Sequence, residues 1–402
     1  MERNDPRYQA YVEILKEELI PAMGCTEPIA LAYAAAKARE VLGVLPDSVQ
    51  LQVSGSIIKN VKSVIVPNTG HLKGMEAAVA AGIIAGSAEK ELEVISEVSE
   101  EKKSAIRDYL QTVPITIEHT EQGHVFDIVV TERCGQDYAR VRIADYHTNI
   151  CRIEKNGTVL YEVPLLDETV QADARADRSL LNMQDIWDFA ETADLRDVAD
   201  LLERQIRYNN AIAEEGLLGD YGANIGRVLL TTYGNDVSNR AKAKAAAGSD
   251  ARMNGCELPV IINSGSGNQG ITCSVPLIEY AKELHSGKEK LYRALIISNL
   301  VAIHEKTGIG TLSAYCGAVS AGAGAGAGIV YLCGDGYQAA IHTVVNALAI
   351  VSGIVCDGAK ASCAAKIASS VDAALLGYNM YKCNQEFKGG DGIVMKDIET
   401  TI

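Results

Sequence analysis

The sequence predicts an α+β fold in which a mainly helical region carries an inserted, smaller α+β domain. Three observations point there. Alternation of apolar and polar residues is concentrated between about residues 48 and 164, as in SVQLQVSG and VFDIVVTE. Helical periodicity dominates from Met183 to Ile402, where LPVIINS is the only convincing strand run. The composition suits close helix packing: 36 Gly against one Trp and three Phe leave Ala, Val, Ile and Leu to fill the interior.

In chain order, YQAYVEILKEELI (8–20) and EPIALAYAAAKAREVL (27–42) read as helices interrupted by PAMGCT. Strands are expected at SVQLQVSG, SVIVP, PITIEHT, VFDIVVTE, YARVRIADYHTNICRIE and TVLYEVP, with helices at 73–86 and 97–110. The polar, acidic stretch LLDETVQADARADRS leads into the helical region, whose Gly-rich breaks fall at GLLGDYG, NSGSGNQG, HEKTGIGT, CGDGY and CDG. The expected domains are residues 1–45, helices packing on the helical domain; 46–165, the α+β domain; and 175–402, an all-helical domain. Thr307–Cys333 carries no charge, yet it is built of Ala and Gly rather than Leu and Ile. That predicts a buried helix of a soluble protein, not a membrane span.

A chain of 402 residues can bury a large core. Its formal charge of -15 argues against a nucleic-acid surface or an anionic membrane as partner, leaving a small molecule. The chain opens MERNDPRYQAY without an early apolar stretch, so its ten cysteines are expected in a reducing cytosol, without disulfides. The Ala/Gly-rich helices are compatible with a homodimer.

Three cysteines stand out. Cys316 lies in AYCGAVSAGAGAGAGI, and Cys356 and Cys363 bracket CDGAKASC. Three thiolates can hold an iron–sulfur cluster and leave one iron open to a substrate. The competing reading is that they are small buried hydrophobes, since C-x6-C matches no widely used metal signature. In one continuous helix Cys356 and Cys363 would lie two turns, roughly 10 Å, apart. The segment is therefore expected to bend at Asp357–Gly358, with a helix starting at ASCAAKIASSVDAAL.

Three further motifs carry chemistry. GSGNQG (265–270) formally matches a dinucleotide fingerprint, but no series of βαβ units surrounds it. It reads either as a plain loop or as a carboxylate cradle formed by Ser264, Ser266, Gly267 and Asn268 at a helix start. In GCTEP, Cys25 precedes a helix whose dipole would lower its pKa and suit it as base or nucleophile. The alternative there is a cap, with Thr26 as N-cap and Glu27 in the first turn. SGSIIKNVKSVIVPNTG sets Ser56 and Asn60 in a strand-to-loop segment that either faces a cleft or is a solvated edge. Cys273, directly after the glycine-rich loop, is the one remaining cysteine with a candidate role; the others read as structural. No H-x-x-x-H spacing supports a zinc hydrolase.

Taken in order, GCTEP, SGSIIKNVKSVIVPNTG, NSGSGNQGIT, LSAYCGAVSAGAGAGAGI and CDGAKASCAAK resemble the L-cysteine desulfidase family, related to the iron–sulfur L-serine dehydratase α chain, over nearly the whole chain. The resemblance implies a non-redox [4Fe-4S] lyase that splits L-cysteine into sulfide, ammonia and pyruvate. It implies Cys316, Cys356 and Cys363 as cluster ligands, Cys25 as proton acceptor, and the glycine-rich loop near the substrate. The open iron would bind the substrate carboxylate and the leaving group. The dehydratase branch spaces its last two cluster cysteines more widely than C-x6-C, which favours the desulfidase branch. A hydroxy-amino-acid dehydratase with the same cluster and a non-catalytic cluster or zinc protein are the alternatives.

Overall fold

The computed structural model describes residues 1–121, 124–165, 175–310 and 312–402. It is 58% helical, with one mixed six-stranded sheet, in agreement with the mainly helical α+β class. Most of the acidic stretch after residue 165 lies outside the described residues.

The first part of the chain runs α1 (Pro6–Glu18), β1 (Pro21–Met23), α2 (Thr26–Leu42), β2 (Ser48–Val53), α3 (Gly55–Val61), α4 (Gly74–Ala85) and α5 (Glu100–Thr112). Five strands follow: β3 (Ile115–His119), β4 (Asp127–Cys134), β5 (Asp137–Ala144), β6 (Ile150–Lys155) and β7 (Thr158–Glu162). The sheet order is β3-β2-β4-β5-β6-β7, with β2 and β3 parallel and all other neighbours antiparallel. Alternation dictates burial: Val49, Leu51 and Val53 of β2 point inward while Ser48, Gln50 and Gln52 are half-buried. The inner face is covered by α2, with α4 stacked behind it. Both helices had to be small-residue helices: a Cβ on Gly82 of α4 would sit 2.1 Å from the Ala32 carbonyl of α2. The two N-terminal helices therefore part company. α1 packs its Tyr8 and Tyr11 edge-on to Phe189, whereas α2 lies on the sheet rather than on the helical region expected to receive both.

Two local expectations are corrected. SVIVP forms no strand, contributing only a bridge between Ile65 and Lys73, and the residues before it form helix α3. Ile57 and Val61 fall four apart and bury one face, a helical period too short to stand out. YARVRIADYHTNICRIE is two strands, broken where Asp145 adopts a left-handed φ of 67°.

The helical part comprises α6 (Met183–Thr192), α7 (Ala199–Leu218), α8 (Ile225–Tyr233), α9 (Val237–Met253), β8 (Pro259–Ile261), α10 (Gly267–Glu283), α11 (Lys288–Ile309), α12 (Gly317–Cys333), α13 (Tyr337–Val351), α14 (Cys363–Lys382) and α15 (Ile398–Thr401). α12 is central, packed by α10, α11, α13 and α14. Its AGAGAGAG tract is helical and fully buried. Among the described residues no helix is long and apolar enough to cross a membrane.

Candidate active site

The short ladder of β1 on β8 pairs Ala22 with Val260 and so sets the start of α2 beside the loop that follows β8. The Thr26 hydroxyl closes that junction by donating to the Gly265 carbonyl at 2.9 Å. The loop itself is pinned from behind: Asn263 donates to Asn299 Oδ1 at 3.0 Å, and Asn299 exchanges amide hydrogen bonds with Gln205. Opposite, Cys316 N donates to the Ile354 carbonyl at 3.1 Å and Cys356 N to the Ala314 carbonyl at 2.7 Å. These bonds hold the Cys316 and Cys356 segments side by side. The chain then turns at Gly358, whose φ of +104° and close approach to the Lys59 carbonyl (2.3 Å from an added Cβ) exclude any side chain. Cys363 follows as the first residue of α14, so the expected bend replaces a continuous helix.

These elements enclose one cavity of about 120 Å³. Cys316, Cys356, Cys363 and Cys25 all line it, together with Asn60, Ser264, Ser266 and Asn268. Ser56 and Gly267 do not. Ser56 is half-buried on α3, one turn before Asn60, and Gly267 acts sterically: a Cβ there would lie 2.3 Å from Arg252 Nε. Cys273 is fully buried between α10, α11 and α12, away from the cavity. A larger vestibule of about 660 Å³, bordered by Glu17, Glu18, Arg175 and Arg178, shares His147, Ser264, Gly265 and Lys306 with the cavity.

Cys25, not Thr26, is the N-cap of α2. Its thiol donates to Glu27 Oε2 at 3.0 Å, and Asn60 Nδ2 donates to Glu27 Oε1 at 2.8 Å. The helix start does not yield a thiolate. Burial pushes the Cys25 thiol well above its ordinary pKa, and the Glu27 charge adds to that. Burial also opposes ionisation of Glu27, but His147, the Cys25 hydrogen bond and Arg252 outweigh it and hold the carboxyl below its ordinary value. Burial lowers the pKa of His147, with the Glu27 charge opposing that shift.

Sequence reasoning left out His147, Arg252 and Gln269, and treated Glu27 only as a helix-cap residue. All four line the cavity. Asn60 Oδ1, His147 Nε2, Arg252 Nε, Asn268 Oδ1 and Gln269 Oε1 are buried there without a hydrogen-bond partner among the described residues. A cavity bordered by five unmet polar atoms is built for a polar occupant, since each costs about 1–3 kcal/mol if left unpaired. Glu27 and Gln269 lay within the quoted motifs; Arg252 and His147 carried no local signal.

The donor set fits an iron–sulfur cluster. Three free thiols from two segments face one cavity, and Lys366 lies close enough to Cys316 and Cys363 to favour their ionised forms. Burial, foremost, and neighbouring thiols push Cys316 and Cys363 up in the metal-free protein; coordination would remove their protons. Among the described residues no three His, Cys, Asp or Glu side chains converge on a single ion position. A cluster does not require that, because each thiolate binds a different iron.

The serine dehydratase alpha chain family model matches residues 89–402. A UPF0597 protein of Desulfitobacterium hafniense is 62% identical over 402 residues, covering 100% of this chain and 93% of its own length. UPF0597 proteins of Lachnoclostridium phytofermentans and Treponema denticola are 53% and 47% identical, over 98% and 100% of this chain and 94% of each relative. With most of its length matched by that model, the chain belongs to the serine dehydratase alpha chain family, to which L-cysteine desulfidase is related.

Proposed function

We propose that this chain is a non-redox lyase that eliminates sulfide from L-cysteine, giving aminoacrylate and, after hydrolysis, pyruvate and ammonia. The family suggests a lyase and is generally iron–sulfur dependent. The observation that carries the reading is the shared cavity, where three thiols, a Cys25–Glu27 pair and unmet polar atoms meet in a volume of about 120 Å³. That is well below the roughly 300–1,000 Å³ of clefts for drug-sized ligands, so a cluster bound there would leave room beside it only for a small molecule.

Cys316, Cys356 and Cys363 would hold a [4Fe-4S] cluster, which when bound supplies a Lewis-acidic iron for the leaving group. The remaining work falls to the chain. Elimination takes the proton from Cα while the Cβ–S bond breaks with its electron pair on sulfur. In our reading the Cα proton passes to Cys25 Sγ as the thiol proton moves to Glu27 Oε2 across the 3.0 Å hydrogen bond, so that no free thiolate forms. Asn60 keeps the carboxylate turned toward Cys25. Ser264, Ser266 and Asn268 border the space for the zwitterion. Ten free thiols suit a reducing compartment such as the cytosol.

L-serine dehydration by the same parts is the second reading, favoured by the description of the matching family. The deciding measurement is sulfide and pyruvate release from L-cysteine, with L-serine in parallel, after anaerobic cluster reconstitution. Cluster-dependent sulfide and pyruvate from L-cysteine are expected. Pyruvate from L-serine alone would make the chain a dehydratase, and silence with both would refute the lyase.

A further inference from the structure

Arg252, in the last turn of α9, is 2% exposed and forms no ion pair or hydrogen bond among the described residues, with Nε buried and unmet. An arginine keeps its charge, so a buried, unpaired guanidinium is costly unless an anion comes to it. The nearby carboxylate, Glu27, feels the Arg252 charge but forms no ion pair with it: its oxygens accept from Cys25 and Asn60. Arg252 instead lies against the backbone at the start of α10, where an added Cβ on Gly267 would be 2.3 Å from Nε and 2.8 Å from Cζ. The N-cap of α10, Ser266, makes no side-chain capping bond, so the positive end of a 17-residue helix meets the guanidinium in one corner of the cavity. On the same cavity wall three amide oxygens, of Asn60, Asn268 and Gln269, are unmet acceptors. The lining thus pairs an anion-seeking corner with ammonium-seeking acceptors.

We propose that Arg252 and the backbone N–H groups of the first turn of α10 anchor the α-carboxylate of the substrate, leaving the amide oxygens of Asn60, Asn268 and Gln269 to its ammonium group. This rests on the reading of the cavity as an amino-acid lyase site. It assigns the carboxylate to protein rather than to the open iron. Gly267 is then required because the guanidinium passes where a side chain would be.

The test compares binding of L-alanine, which has no leaving group, with L-alaninamide, which has no carboxylate, to the anaerobically reconstituted holoenzyme by calorimetry. The wild-type protein should prefer L-alanine by at least about 30-fold, the scale of a desolvated charge pair. Arg252→Gln should lose that preference while keeping iron content and visible absorbance. Gly267→Ala, which retains Arg252 but displaces its guanidinium, should reduce the preference and serves if Arg252→Gln does not fold. A preference surviving in both variants, or absent from the wild type, would overturn the assignment; so would loss of iron in Arg252→Gln, which would give Arg252 to the cluster. Pyruvate formation is scored separately. A carboxylate preference that depends on Arg252 without pyruvate from L-cysteine or L-serine would refute the lyase reading and leave the anchor standing.

Discussion

Cys25 occupies a position where two electrostatic effects oppose each other, and their sizes decide the outcome. A helix N-terminus stabilises an anion by about 0.3–1 kcal/mol, up to about 2 when partly buried. Full burial can shift a pKa by about 3–5 units, each worth about 1.4 kcal/mol. At 2% exposure and with Glu27 adjacent, burial prevails and the thiol is protonated at rest. A protonated thiol can act as base only through a partner that takes its proton, which makes Glu27 part of the same device. Cys25→Ser and Glu27→Gln should therefore each retain the cluster absorbance and iron and lower turnover by about 10²–10⁴-fold, the usual worth of a general base. Undiminished turnover in Cys25→Ser would place the base elsewhere. At this scale the sequence exposed residues inside motifs, such as Cys25 and Asn60, through their neighbours. Arg252 and His147 were hidden because their significance is an absent partner, which only the folded chain defines.

Helix α12 turns a two-residue sequence repeat into two packing faces. Glycines two apart in a helix point about 200° away from each other, so alternate ones separate. Gly322 and Gly326 meet Ser370 and Ala374 of α14, while Gly324 and Gly328 approach the carbonyls of Ser298 and Ala294 on α11. Each face is a pair four residues apart, matched to a pair four apart on its neighbour. A Cβ at Gly324 would lie 2.4 Å from the Ser298 carbonyl oxygen, and backbone cannot yield as a side-chain end can. Gly324→Ala should destabilise by about 1–3 kcal/mol, read as a lower urea midpoint. Gly353→Ala, exposed and with nothing within 4 Å, should stay within about 0.5 kcal/mol. Equal midpoints would show that the close approach is not required. Long periodic elements such as this helix and strands β2–β4 were legible in the sequence. β1 and α3 were not: one spans three residues and exists by pairing with β8, the other is seven residues long.

Across the whole molecule the cavity draws on segments from Cys25 to Ile367, with Cys25, Glu27, Asn60 and His147 from the first part and the remaining lining from the helical part. We propose that the chain divides into residues 1–45, 46–165 and 175–402, with α2 joined by packing to the middle unit and the cavity at the junction. Motif order along the chain carried the inventory of this site, but not which motifs touch, because contact depends on the β1–β8 ladder and on the turn at Gly358. A group held by two separated segments, one bearing Cys316 and the other Cys356 and Cys363, must stabilise the folded state that gathers them, since the unfolded chain does not hold its three thiols together. Anaerobic reconstitution should therefore raise Tm; an occupancy of one hundred times Kd corresponds to about 2.7 kcal/mol. Cys316→Ala, Cys356→Ala and Cys363→Ala should each lower bound iron and lose most of that rise. Cys383→Ala should keep both, because Cys383 is exposed at the far end of α14, roughly 30 Å along the helix from Cys363. Iron retained in Cys316→Ala, or lost in Cys383→Ala, would mean that a different set of thiols holds the cluster, and the link between cluster and cavity would fail with it.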